Sequence, residues 1–410
     1  MIQKWIAEIE KDWGLEHFDF KKALIKRDAS AIKTTEYKME MEWFPAGAEM
    51  EDESNPPGTI YAEVNFTYGI LTSFIVVMSE DSREDPPLLQ SPKLDDVVGW
   101  VELNIGLKYD SDFRLRRKDK DGDCTEYFFS SIINGRKVSP GGHIEVKVNE
   151  RGCIVFYSLF GFFHALYPEI EVKHEEDQST VNMDEIIEKQ VVLFGVPEED
   201  GYQLLYGVDE EFIDAVHKSV VLFWNKEDSA EEIRISDKIV GTVWEQFYES
   251  QKISEEEMSL NIPHSDCLPI SGDENSEFVK VISNYLKVHR PNESGKWQVE
   301  NIERLNGLLH ADVVPVNDAD RIVDKFRFLY DANEHELLYV LDKREMLSQM
   351  NQLPTFDVKV TKDEALELLE KDIFFEQYYL YDFNKKVLRP TKRIDCHEFV
   401  NAVTGEKVRD

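Results

Sequence analysis

Two His-Glu pairs come closest to written chemistry. His335-Glu336-Leu337-Leu338-Tyr339 and His397-Glu398-Phe399-Val400-Asn401 each begin like the helix of a zinc peptidase. That chemistry needs a second His at i+4, so that two imidazoles share one helix face and one metal. Tyr339 and Asn401 stand in those places, and both segments read as strand or turn. His264-Ser265-Asp266-Cys267 and Cys396-His397 would supply zinc ligands if the fold joined them. Adjacent residues of a strand point to opposite faces, so Cys396 and His397 are poorly placed to chelate one ion. The plainer reading is two buried thiols and two surface imidazoles. Asp119-Lys120-Asp121-Gly122-Asp123 echoes a calcium loop, but an EF-hand needs Gly sixth and Glu twelfth. Here the Gly is fourth and Ser130 is twelfth, so a polar hairpin loop is expected.

The other catalytic signatures are missing from the sequence. It has no G-x-S-x-G elbow, Walker loop or dinucleotide fingerprint. Gly141-Gly142-His143 opens a strand rather than a helix and reads as a turn. Paired carboxylates are too common here to single any out. The sequence therefore assigns no catalytic, cofactor-binding or metal residue, and implies no cofactor. The dense aromatic run Phe156, Tyr157, Phe160, Phe162, Phe163 and Tyr167 reads as core or packing between modules.

Charge narrows the partners. Lys+Arg is 47 against Asp+Glu 82, a net −35 over 410 residues. Such a field repels nucleic-acid phosphates and anionic membranes. The best basic cluster, Arg114-Leu115-Arg116-Arg117-Lys118, runs straight into Asp119, Asp121 and Asp123. With 42% hydrophobic and 11% aromatic residues, the chain can fill real cores. The 4 cysteines (Cys124, Cys153, Cys267, Cys396) are scattered and expected to be free thiols. Neither a signal peptide nor a run of ~20 apolar residues is seen. A cytoplasmic protein is expected, although an extracellular one already relieved of its signal would look the same.

The elements follow from periodicity. Ile2, Trp5, Ile6, Ile9 and Trp13 line one helix face. A charged stretch and a loop over Pro45–Gly58 follow. Ile60–Tyr68 and Ile70–Met78 alternate as paired strands about a Tyr68-Gly69 turn. Ser91 and Pro92 suit the start of a helix faced by Leu94, Val97, Val98, Val101 and Ile105. Tyr127–Ile133 leads into Asn134-Gly135, a type I′ hairpin signal, and His143–Val148 and Cys153–Tyr157 add strands. Further on, helices are expected over Asp184–Lys189, Ile239–Phe247 and Phe278–Leu286, and strands over Tyr202–Val208 and Glu211–Phe223. Phe326–Tyr330 and Leu337–Leu341 form a hairpin, and Thr361-Lys362-Asp363-Glu364 is a capping box. Tyr378–Phe383 and Phe399–Val408 close the chain.

An internal repeat stands out. Asp184-Glu185-Ile186-Ile187-Glu188 aligns with Asp363-Glu364-Ala365-Leu366-Glu367, and Phe212-Ile213-Asp214-Ala215-Val216 with Phe399-Val400-Asn401-Ala402-Val403. The closing Phe399–Glu406 pattern after a Thr-Lys-Asp-Glu-Ala helix resembles YcdB/YcdC-type repeat proteins and, more distantly, PepSY domains. Ala62-Glu63-Val64-Asn65-Phe66 before a Gly turn and Val146-Lys147-Val148-Asn149 before Gly152 fit the same resemblance. It implies small, non-catalytic α+β units of the kind often attached to secreted peptidases and thought to restrain them.

The expected fold is α+β: repeated modules of antiparallel sheet with a helix on one face, preceded by an N-terminal helix. The expected division is 1–58 as helix and acidic linker, 59–225 as a first repeat domain and 226–410 as a second. The expected role is a non-enzymatic protein that binds or regulates a protein partner, for example a peptidase. The alternative is an enzyme whose site converges from distant loops.

Overall fold

The computed structural model describes residues 1–50, 54–79, 81–174, 183–198, 201–213, 219–225, 233–317, 323–349 and 358–409. The chain is α+β, with antiparallel sheets and 8 α-helices among the described residues. It divides into two compact units. The first comprises Met1–Glu176, Glu249–Leu268 and Tyr378–Pro390; the second comprises Asp177–Tyr248, Pro269–Gln377 and Thr391–Asp410. Boundaries expected at 58/59 and 225/226 do not coincide with these units. The charged stretch ahead of Pro45 forms two long strands, Phe18–Ala29 and Thr35–Pro45, inside the first sheet. Among the described residues no helix is long and apolar enough to cross a membrane.

The first unit opens with helix α1 (Ile2–Trp13), whose Ile6, Ile9 and Trp13 are buried. Strands β1 (Phe18–Ala29), β2 (Thr35–Pro45), β3 (Ile60–Asn65) and β4 (Ile70–Val76) follow as an antiparallel meander. Helix α2 (Leu94–Ile105) begins a second run: β5 (Phe113–Asp121), β6 (Cys124–Ile133), β7 (Arg136–Ser139), β8 (Gly142–Asn149) and β9 (Ile154–Gly161). The two runs meet through antiparallel pairing of β4 with β9, giving the order β5-β6-β8-β9-β4-β3-β2-β1. Among the described residues β5 pairs along its length with β6 alone, so it is a sheet edge. At the other border Lys252–Ile253 pairs with Ile25 and Lys26 of β1. Tyr378–Leu380 pairs in parallel with Lys137–Ser139 of β7.

Alternation decides which face is buried. On β2 and β3, Met39, Met41, Trp43, Ile60, Ala62 and Val64 are all fully buried and share one core with both helices. The expected cap of α2 differs in detail. Lys93 is the N-cap, and Ser91 instead gives its backbone N–H (2.8 Å) and hydroxyl (2.6 Å) to the Asp96 carboxylate. The Asn134-Gly135 turn is present with both residues at positive φ, as the type I′ geometry demands.

Each helix ends on a left-handed glycine followed by a fully buried leucine: Gly14-Leu15 and Gly106-Leu107. The two glycines differ in surroundings. A Cβ on Gly14 would lie 2.6 Å from the Asp85 carbonyl oxygen, whereas one on Gly106 would meet nothing within 4 Å. Gly106→Ala is therefore expected to cost about 1–2 kcal/mol, from the left-handed backbone alone. Gly14→Ala adds a backbone clash and should cost at least about 3 kcal/mol. Urea denaturation of the two variants measures the gap.

In the second unit, Val220–Leu222, Trp297–Leu305, Leu308–Pro315, Phe326–Asp331 and Glu336–Asp342 form an antiparallel sheet in that order. Phe278, Ile282 and Leu286 of the helix Gly272–His289 pack on it. A smaller sheet has the order Val191–Glu198, Gly201–Val208, Glu398–Asn401, Lys407–Arg409. Its core takes residues from both repeat-bearing helices, Met183–Gln190 and Lys362–Leu369. The two stretches aligned as a repeat thus supply one sheet, with Leu205 facing Asn401 and Tyr206 facing Val400. Of the strand expected over 211–223, only Val220–Leu222 is a strand among the described residues; Phe212 makes a single bridge to Arg393. Asp214, Ala215 and Val216 lie outside the described residues. The Thr361 capping box is present in full.

Candidate functional site

Phe74 of β4 and Tyr157 of β9 stand directly opposite one another where the two runs of the first unit meet. Both therefore point to the same sheet face, the one that carries the helices. Trp13 at the end of α1 stacks on Phe74, with ring centres 3.7 Å apart. Trp100 of α2 stands edge-on to Tyr157 at 5.1 Å and to Trp13 at 6.0 Å. Between the helices this leaves a cleft of about 400 Å³ with Trp5, Trp100 and Tyr157 among its walls and Glu8, Asp12 and Asn104 at its rim.

The polar groups divide sharply by depth. Glu8, Asp12 and Asn104 are exposed, whereas Tyr157 is 1% exposed and its hydroxyl has no hydrogen-bond partner among the described residues. Burial pushes that phenol well above its ordinary pKa, so it stays a neutral donor and acceptor. An unmet buried hydroxyl costs stability. Tyr157→Phe is accordingly expected to raise the unfolding free energy by about 1 kcal/mol, read from chemical denaturation.

A second polar cluster is sealed. Glu36 of β2 accepts hydrogen bonds from the Tyr167 hydroxyl (2.6 Å), the Tyr68 hydroxyl (2.9 Å) and Asn65 Nδ2 (2.9 Å). Lys38 Nζ stands 3.8 Å from the same carboxylate and 2.7 Å from Asp28. Burial, and then the charge of Glu36, push both phenols far above their usual range. Tyr68, Tyr167 and Asn65 all donate to Glu36, and Lys38 donates to Asp28, which makes the cluster a structural pin rather than acid–base machinery.

The second unit holds a wider depression of about 720 Å³, lined in part by Arg234, Asp237, Lys238, His335 and Glu336. Its charges pair with one another: Lys238 with Glu336 at 2.8 Å, and Arg234 with Asp237. The α1–α2 cleft differs at its rim, where Asp12 has no ion pair among the described residues and Glu8 meets the exposed Lys4 at 3.5 Å.

The sequence candidates are dispersed. His335 occupies a left-handed turn position and pairs with Glu277, and His397 packs against Phe374. His264 and Cys267 belong to the first unit, Cys396 and His397 to the second. The expectation of a surface imidazole at His264 is corrected: it is 4% exposed, and its Nδ1 accepts the Asp266 backbone N–H. Burial lowers its pKa, with Asp266 opposing. Cys267 is half-buried, while Cys396 is buried. Of the polar loop expected over Asp119–Asp123, only Gly122 and Asp123 lie between the strands; Asp119, Lys120 and Asp121 pair within the β5–β6 ladder. Gly141-Gly142 enters β8, where Gly142 packs against Phe163. Within the aromatic run, Tyr157, Phe162, Phe163 and Tyr167 are buried, but Phe160 is 62% exposed. The signal for the cleft was scattered: Trp5, Trp13, Trp100 and Tyr157 come from three elements, and no local pattern joins them.

No protein-family model matches the chain, and no curated protein matches it. Among solved structures, the C-terminal domain of YpeB from Bacillus megaterium aligns with 83% of this chain and 96% of that one, at 8% identity and a TM-score of 0.25. Similarity that slight carries no argument about fold or function.

Proposed function

We propose that this is a non-catalytic binding protein built of helix-plus-meander modules, which engages and regulates a protein partner through the α1–α2 cleft. The observation that carries the reading is the make-up of that cleft, a buried aromatic floor under an exposed acidic rim. Such a surface offers shape, π faces and charge, the means of recognition. The modular part of the reading draws on recurrence. A helix followed by antiparallel strands occurs at α1, at α2 and again at Gly272–His289. Many of the hairpins also share one turn, in which an Asn or Asp side chain accepts N–H groups two or three residues on. Asn65, Asn149, Asp331, Asp382 and Asn401 all do this. A PepSY-like relationship, with a peptidase as the partner, is the most specific form of the proposal.

Charge reversal on the exposed rim tests it without touching the core. Partners cross-linked to the native chain in its own cells should be lost from a Glu8→Lys/Asp12→Lys variant that melts normally. Equal recovery of every partner by both chains would sink the reading.

A further inference from the structure

We infer that the α1–α2 cleft binds an organic cation bearing N–H donors, an alkylammonium or a guanidinium group; this deepens the binding reading above and rests on it. The walls come first. The half-exposed indoles of Trp5 and Trp100 line the cleft, and an indole attracts a cation through the negative quadrupole of its face. The rim adds charge. Glu8 and Asp12 are four residues apart on α1 and so share one helix face. Glu8 is met only by Lys4, at 3.5 Å and 77% exposed, and Asp12 has no ion pair among the described residues.

The floor selects among cations. Tyr157 lines the cleft, and its hydroxyl is buried with no hydrogen-bond partner among the described residues, so a ligand N–H admitted past the indoles would supply the partner that the fold does not. A quaternary ammonium has no such hydrogen and would leave the phenol orphaned. A neutral apolar ligand would leave both the phenol and the rim unmet. An anion would face two carboxylates in a chain of net charge −35. The volume, about 400 Å³, falls within the range of small-ligand sites. The same chemistry has two sources: a free amine, or a lysine or arginine side chain on a partner protein.

Calorimetry on the full chain at fixed ionic strength separates these cases, with n-butylammonium, butylguanidinium, tetramethylammonium, n-butanol and butyrate as probes. A short Arg/Lys peptide forms a further arm. Butylammonium or butylguanidinium should bind saturably and quench tryptophan fluorescence, with tetramethylammonium at least about tenfold weaker. Glu8→Gln/Asp12→Asn should weaken the N–H cations about tenfold with no change in melting. Tyr157→Phe should narrow their preference over tetramethylammonium. Tighter binding of the peptide than of the free amines assigns the source to a protein; the reverse assigns it to a small molecule. If butanol or butyrate binds as well as butylammonium, the cation assignment is overturned while the cleft remains a binding site. No saturable binding by any cation overturns it as well, and the rim-reversal experiment then decides the broader reading separately.

Discussion

Glu36→Ala is expected to lower the unfolding free energy by about 3–5 kcal/mol, the range for removing one partner from a buried charged network. The reason is arithmetic of donors. Asn65 and Tyr167 are 2% and 3% exposed, and with Tyr68 they all lose their acceptor at once. Each stranded buried donor costs about 1–3 kcal/mol, so even partial relaxation leaves a large deficit. Glu36→Gln keeps the shape and one acceptor oxygen and should cost less. Equilibrium urea unfolding measures both. The network also sets an alkaline limit. Tyr68 and Tyr167 have folded pKa values above the unfolded value near 10. Their contribution is therefore fully present below about pH 10 and is lost as pH rises through the folded values. Tyrosinate absorbance from these phenols should appear only with unfolding. A small, shape-insensitive loss in Glu36→Ala would refute the assignment of Glu36 as a pin.

The second large effect lies in the crossover between the two runs of the first unit. Arg83 clasps Asp81 with a forked pair of hydrogen bonds, Nε to Oδ1 at 2.7 Å and Nη2 to Oδ2 at 2.9 Å. The two side chains are 0% and 2% exposed. Nη2 also donates to the Ile154 carbonyl at 2.8 Å, and the guanidinium lies 5.0 Å from the Phe74 ring. The pair thus ties the loop after β4 to the centre of the sheet. Asp81→Ala leaves a buried guanidinium without its counter-ion and should cost about 3–5 kcal/mol. An Asp81→Ala/Arg83→Met double variant should recover much of that loss, because no charge is then stranded. Burial pushes the Asp81 carboxyl up, but the hydrogen bonds and charge of Arg83 pull it further down, to a net pKa below the ordinary value. A depressed acid stabilises the fold above the unfolded carboxyl range near 3.9 and ceases to as pH falls through the folded value. The melting temperature of the native chain should therefore fall more steeply in acid than that of the double variant.

What could be read in the sequence tracks how cleanly each segment spoke in one period. β3, β4, α2 and the Asn134-Gly135 hairpin did so, and each is present. β2 spoke as clearly: Tyr37, Met39, Met41 and Trp43 alternate with Lys38, Glu40 and Glu42, a strand period set within dense charge. The hairpin Trp297–Leu305/Leu308–Pro315 turns on Asn306-Gly307, the same dipeptide at positive φ as Asn134-Gly135. The helix-then-strands order that occurs twice in the first unit is matched by short sequence likenesses, Trp13-Gly14-Leu15 against Ile105-Gly106-Leu107 and Val64-Asn65 against Val148-Asn149. The cleft left none. Tyr157 sits in an aromatic run read as core, which is what most of that run is, and its orphaned hydroxyl is a fact of packing that no spacing encodes.

The edge strand β5 has a consequence wherever copies of the molecule meet at high concentration. An unpaired strand border is a template on which identical molecules can stack into fibrils, a hazard that proteins blunt with charge at the border. Arg114, Arg116, Arg117, Lys118 and Lys120 all project from β5 and are exposed. Two such borders brought together repel, and burying five cations between them would demand costly dehydration. On this acidic molecule the chief cluster of positive charge is therefore best understood as a guard against self-association, stationed where the sheet would otherwise go on growing.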